Sequence, residues 1–191
     1  MVFDNIIPSL ILDRVCTSQD KEYFYCVSKV KKLASKVAIS VSCTKPSSGW
    51  HNLNTDGASL GNPGKSGGGG LIRNSQGNWI KGFSRSIGFT TSVMAELWVL
   101  RNGLYLAIQL GINFLEVELD AKVIVDMLNN TDCSNRKHPP LLHDCKSLLS
   151  RLTQTRVVHI FREANKCVDF LARRGCSMRE NLCYFLCPTL Y

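Results

Sequence analysis

A chain of 191 residues that is 45% hydrophobic and 20% charged can bury a core, and its composition is that of an ordinary globular domain rather than a disordered or fibrous one. The formal charge is +8, and from His51 onward sixteen Lys and Arg stand against eleven Asp and Glu, a surplus of +5 that permits a polyanionic partner without identifying one. Nine cysteines, odd in number, scattered and without a C-x-x-C pair, argue against a disulfide scaffold or a zinc site and fit the reduced thiols of an intracellular protein.

At the start of the chain, Asp4 and the Pro8 interruption of a short apolar run argue against a signal peptide. No window reaches transmembrane length, so no membrane association is expected. Residues 1–49 read as an N-terminal extension. Thr17-Ser18-Gln19-Asp20 forms a capping box for an amphipathic helix through about Val37, with Tyr23, Val27, Val30 and Ala34 on one face and lysines on the others. Lys45-Pro46-Ser47-Ser48-Gly49 then reads as a linker.

From Trp50 the pattern changes. Trp50 to Asp56 is a strand, a glycine-rich turn follows, and Gly69 to Arg73 and Asn78 to Ile87 are two more strands joined across Asn74-Ser75-Gln76-Gly77. Ser92 to Leu110 is the strongest helix, because Leu97, Leu100, Leu104, Ala107 and Ile108 recur at helical spacing and Gly111 stops it. Phe114 to Leu119 alternates as a strand; residues 121–130 and Pro139 to Leu152 are helices, the latter with proline in its first turn. Arg156 to Phe161 is the fifth strand, Ala164 to Arg174 the closing helix, and residues 175–191 a C-terminal tail whose apolar part, Leu182 to Tyr191, packs on the domain. The order βββαβααβα predicts an α/β fold: a five-stranded mixed sheet, antiparallel first and parallel through crossovers afterwards, with helices on both faces.

Four acids fall at element ends in this scheme: Asp56 closes the first strand, Glu96 lies at a helix start, Asp120 follows a strand, and Asp169 lies near the start of the closing helix. Each alone serves equally well as a turn or helix-start residue. Brought together, the four would hold divalent metal. The glycine-rich turn also contains Gly64-Lys65-Ser66, the end of a phosphate-binding G-x-x-x-x-G-K-[ST] loop. That match fails at Ser59, where glycine is required, and again because a strand rather than a helix N-terminus follows.

Thr55-Asp56-Gly57 with Leu60-Gly61-Asn62-Pro63-Gly64, then Ala95-Glu96-Leu97, Glu118-Leu119-Asp120, and Arg162-Glu163-Ala164-Asn165 leading to Val168-Asp169, form an ordered set. In that set residues 50–174 resemble the type 1 ribonuclease H family, especially the ribonuclease H-like domains of plant proteins and retroelements. The resemblance implies a metal-dependent endonuclease that hydrolyses the RNA strand of RNA/DNA hybrids, with Asp56, Glu96, Asp120 and Asp169 holding two Mg²⁺ ions, or Mn²⁺, that activate water. Such ions clamp the attacking and leaving oxygens of an in-line displacement, and hard cations suit carboxylate ligands. It also implies that Ser59, Gly61, Asn62, Ser92 and Asn165 contact the nucleic acid. His159, ten residues before Asp169, is a candidate catalytic helper; as a strand residue it reads more simply as packed or half-exposed on the sheet.

Two departures from the family pattern point to an alternative. Ser92-Val93-Met94 precede Ala95-Glu96 where many members carry asparagine, and Thr131 to Pro140, with Arg136 and Lys137, stands where larger members insert a basic helix. The alternative is a catalytically weak or inactive nucleic-acid-binding remnant of a retroelement polyprotein. A monomer in the nucleus or cytoplasm is expected in either case.

Overall fold

The computed structural model describes residues 45–130 and 139–187. The helix expected over residues 17–37 and most of the 131–140 loop, including Arg136 and Lys137, lie outside the described residues. Six strands form one sheet: β1 (His51–Gly61), β2 (Gly64–Arg73), β3 (Trp79–Thr90), β4 (Phe114–Leu119), β5 (Gln154–His159) and β6 (Leu182–Phe185), in the spatial order β5-β4-β1-β2-β3-β6. The β1-β2, β2-β3 and β3-β6 pairs are antiparallel, whereas β1-β4 and β4-β5 are parallel.

Four α-helices cover the sheet: α1 (Ser92–Gln109), α2 (Lys122–Asn129), α3 (Pro140–Leu149) and α4 (Lys166–Ser177), the last preceded by a 3₁₀ turn at Arg162–Ala164. Thr91 caps α1 by accepting a hydrogen bond from the Met94 amide, and Leu97, Leu100 and Leu104 place its apolar stripe on the sheet. Ile124 of α2 and Leu141, Leu142 and Cys145 of α3 complete the larger core on that face. On the other face Val168 and Leu171 of α4 pack against Leu71. No helix among the described residues is long and apolar enough to cross a membrane.

The sixth strand is a difference from the expected five. The tail does not merely pack on the domain: Leu182–Phe185 hydrogen-bonds along β3, in register from Gly82↔Phe185 to Arg85↔Leu182. Lys81 and Arg174 lie over the rings of Tyr184 and Phe185, and the Trp79 indole donates to the Phe185 carbonyl, so four residues suffice to hold this edge.

The glycine-rich segment also differs from the open turn expected. β1 runs through to Gly61 and β2 starts at Gly64, leaving only Asn62 and Pro63 in the turn. These glycines serve packing against the protein's own helices. A Cβ at Gly57 would stand 2.6 Å from the Ala95 carbonyl carbon and closer still to the Glu96 nitrogen; one at Gly67 would overlap the backbone of Gly175 and Cys176. Both helix backbones therefore lie directly on the sheet. Lys65 is an exposed strand residue in β2, and no helix follows it, so the phosphate-loop geometry is absent there.

Candidate metal centre

Side chains alternate along a strand, so Asn52, Asn54 and Asp56 share one face of β1. The parallel neighbour β4 sets Glu116 beside Asn52 and Glu118 beside Asn54, and the chain continues from Leu119, paired with Thr55, directly into Asp120. Asp56 and Asp120 thus meet where two parallel strands leave their ladder, the sheet edge at which open α/β sheets gather polar groups. Glu96 reaches the same point from the second turn of α1, which only a residue without a side chain at position 57 allows.

Asp56, Glu96 and Asp120 bring one carboxylate oxygen each within 4.8 Å of one another. Asp56 and Glu96 are buried and Asp120 is half-buried. Burial, followed by the charges of Asp120 and Asp169, pushes the Asp56 carboxyl up to about 7, against a weaker pull from Arg162 and Arg173. Burial and then the Asp56 and Asp120 charges raise Glu96 well above the usual carboxylate range, although the Gly57 amide donates to it. Burial raises Asp120 as well, and Arg162 opposes the rise. Asp56 Oδ2 and Glu96 Oε2 are both buried without a hydrogen-bond partner. Such oxygens normally have partners. Three clustered carboxylates, two of them with an unsatisfied buried oxygen, fit a hard divalent cation in their midst.

The structure leaves the fourth expected acid apart. Asp169, in the first turn of α4, is not in this group; its Oδ1 takes Arg162 Nη2 at 3.2 Å and its Oδ2 takes Arg173 Nε at 2.9 Å. Its charge is nonetheless felt at Asp56 and Asp120.

His159 ends β5, as the strand reading had it, but is exposed rather than packed or half-exposed. Its Nε2 lies 3.2 Å from the backbone carbonyl of Asp120, and its ring stands edge-on to Phe161 at 6.1 Å. It borders the acid group without joining it.

Ser59, Gly61, Asn62 and Ser92 come together at the end of the β1-β2 hairpin. Asn62 Oδ1 accepts from the Ser92 amide at 3.2 Å, and the Ser59 hydroxyl bonds to the Gly61 and Thr90 carbonyls, which ties the hairpin to the start of α1. Asn62 and Gly61 are exposed there.

Asn165, expected at the nucleic acid, lies in the interior. It is 1% exposed, donates to the Thr55 carbonyl at 3.0 Å and lies 3.4 Å from Asn54 Nδ2, so both ends of its amide face inward. It belongs to a buried network with no local trace in the sequence. Arg73 Nη2 donates to Asn54 Oδ1, and Asn54 Nδ2 donates to Glu118 Oε2, each at 2.6 Å. Burial raises the Glu118 carboxyl, while Arg73 and the Asn54 hydrogen bond pull it down. This network lies on the sheet face next to Asp56 and pins β1 to β2, β4 and the start of α4.

Residues 54–175 match the family model described as reverse transcriptase-like. Over 143 residues, 75% of its length, the chain is 37% identical to an Arabidopsis thaliana protein provisionally named a ribonuclease H protein, and it spans only 23% of that relative. Among solved structures it resembles ribonuclease H1 of the archaeon Halobacterium salinarum, with 26% identity, a TM-score of 0.61, and coverage of 66% of this chain and 96% of that one. LC11 ribonuclease H1, obtained from compost and solved in complex with an RNA/DNA hybrid, gives 28% identity and a TM-score of 0.58 over 66% of this chain and 96% of that one.

Proposed function

Because the chain belongs to the reverse transcriptase-like family of ribonuclease H-like domains, we propose that it is a metal-dependent endonuclease that hydrolyses the RNA strand of RNA/DNA hybrids. The observation that carries this reading is the group formed by Asp56, Glu96 and Asp120, with partnerless buried oxygens on Asp56 and Glu96. A binding module has no use for such a group: gathering carboxylates in a half-buried site costs stability unless a cation offsets it.

Asp56, Glu96 and Asp120 would hold Mg²⁺ or Mn²⁺, with Asp169 as a fourth ligand at a second ion. When bound, a pair of such ions supplies Lewis acidity at both the attacking and the leaving oxygen of the phosphodiester. The protein's own part is positioning. Gly57 fixes Glu96 through its amide and its missing side chain, while Asn165 and the Arg73-Asn54-Glu118 network hold the strand that carries Asp56. The hairpin end with Ser59, Gly61, Asn62 and Ser92 offers exposed backbone and small polar groups for an RNA strand, whose 2′-hydroxyls are what separates it from DNA. His159, exposed beside the Asp120 carbonyl, would be the helper that moves a proton in this reading.

A second reading, a nucleic-acid-binding remnant with little turnover, draws on Asp169, which pairs with two arginines and is not one of the three grouped acids. The test that separates the two is cleavage of an end-labelled RNA/DNA hybrid in Mg²⁺ by the parent and by Asp120→Asn, with duplex DNA as control. Hybrid-specific cleavage lost in the variant is expected. Hybrid binding by the parent without cleavage would leave the remnant reading in place.

A further inference from the structure

Arg162 and Arg173 both clamp Asp169, but they reach it differently. Arg173 sits four residues on in the same helix, an ordinary pair along a helix surface. Arg162 comes from the 3₁₀ turn before α4 and is 68% exposed, while Asp169 is 23% exposed. Its charge extends past its partner: it favours the ionised forms of Asp56, Glu96 and Asp120, and Asp169, Asp56 and Asp120 favour its own charged form in return. It also borders an open cavity of about 210 Å³ together with Glu163, Lys166 and Asp169.

A guanidinium is always charged, planar and able to fork between carboxylates, so it can partly neutralise an acid cluster without leaving solvent. We propose that Arg162 is the resident cation of the acid site: in the metal-free protein it holds Asp169 apart from Asp56, Glu96 and Asp120, and a divalent ion competes with it for that carboxylate. This rests on the reading of the acid group as a metal site. Arg162 is thereby a positioning residue, acting through Asp169. An exposed ion pair is weak enough to open when a stronger cation arrives.

The test is calorimetric titration of the full chain with Mn²⁺ alone, without nucleic acid, for the parent, Arg162→Met, Arg162→Lys, Asp169→Asn and the Arg162→Met/Asp169→Asn double variant. Releasing an exposed pair predicts that Arg162→Met binds Mn²⁺ about two- to five-fold tighter, with Arg162→Lys between it and the parent. In the Asp169→Asn background the gain shrinks by at least about half, because the two residues act as a pair. Equal or weaker Mn²⁺ binding by Arg162→Met overturns the proposal, and so does a gain of the same size with and without Asp169. Failure of the underlying metal reading has a separate signature: no Mn²⁺ binding by the parent, or binding unchanged by Asp56→Asn, removes the site itself whatever Arg162 does.

Discussion

Gly57 lies against the backbone of Glu96, and its missing side chain lets α1 settle on β1. A methyl group there must displace the helix that carries Glu96. We expect Gly57→Ala to cost about 1–3 kcal/mol, the usual range for overpacking, and to weaken Mn²⁺ binding by more than a stability loss alone would. Chemical denaturation and metal titration of the same sample check this; a stable variant with parental metal affinity would count against close packing at this point.

The raised carboxyls make a pH prediction with a definite sign. Asp56 titrates near 7 in the folded protein and near 4 when unfolded, and Glu96 shifts the same way. The protonated forms are favoured by folding, so their contribution is fully present below about pH 4 and is lost as the pH rises through 7. In chelator, stability should therefore fall between pH 5 and 8 by an amount on the order of 2–4 kcal/mol, and the melting temperature should fall with it. Saturating Mg²⁺ should flatten that slope, and Asp56→Asn should reduce it. A metal-free melting temperature that rises across this interval would refute the assignment.

Beneath the site, Arg73, Asn54 and Glu118 are all buried and connected at hydrogen-bond distance. Arg73→Met leaves the Glu118 charge buried without its cation, a change that typically costs about 3–5 kcal/mol. Urea unfolding measures it directly. Adding Glu118→Leu should recover part of the loss, since the charge then vanishes with its partner; no recovery would mean that the arginine acts through packing alone.

At the hairpin end, Asn62 accepts from the Ser92 amide on the exposed rim. Asn62→Ala should cost no more than about 1 kcal/mol of stability, in the range of a lost helix-start hydrogen bond, yet weaken RNA/DNA hybrid affinity several-fold more than duplex DNA affinity. Fluorescence anisotropy against both ligands tests this. The same assay should show parental hybrid binding fading steeply between about 50 and 200 mM salt, because phosphate contacts release counterions; a flat response would show that charge is not what holds the hybrid.

The features legible in the sequence are those written locally. The Leu97, Leu100 and Leu104 spacing places α1 at Ser92–Gln109, within a residue of its expected range, and Asp120 and Asp169 fall after a strand and in a first helical turn as the pattern sets them, whereas Asp56 lies mid-strand because β1 runs on to Gly61. Gly57 and Gly67 mislead because glycine in a strand ordinarily signals a turn; here the missing side chains are replaced by the backbones of α1 and α4, a tertiary contact with no local trace. β6 is missed because four residues carry no alternation long enough to read, and its partner β3 lies about a hundred residues away in the chain. The link from Asn54 to Glu118 spans 64 positions and the one to Asn165 spans 111, so nothing near Asn165 separates an inward amide from a ligand contact.

β6 also closes what would otherwise be an open flank. β3 is the longest strand of the sheet at twelve residues, and opposite Gly82 to Arg85 its outward backbone groups are met by the tail. A chain cut after residue 181 would present those groups as a bare template, and unprotected strand edges recruit other chains. The last visible strand is thus a guard against self-association: loss of the C-terminal segment should appear first as concentration-dependent aggregation at a flank away from the acid site, before any change in metal affinity.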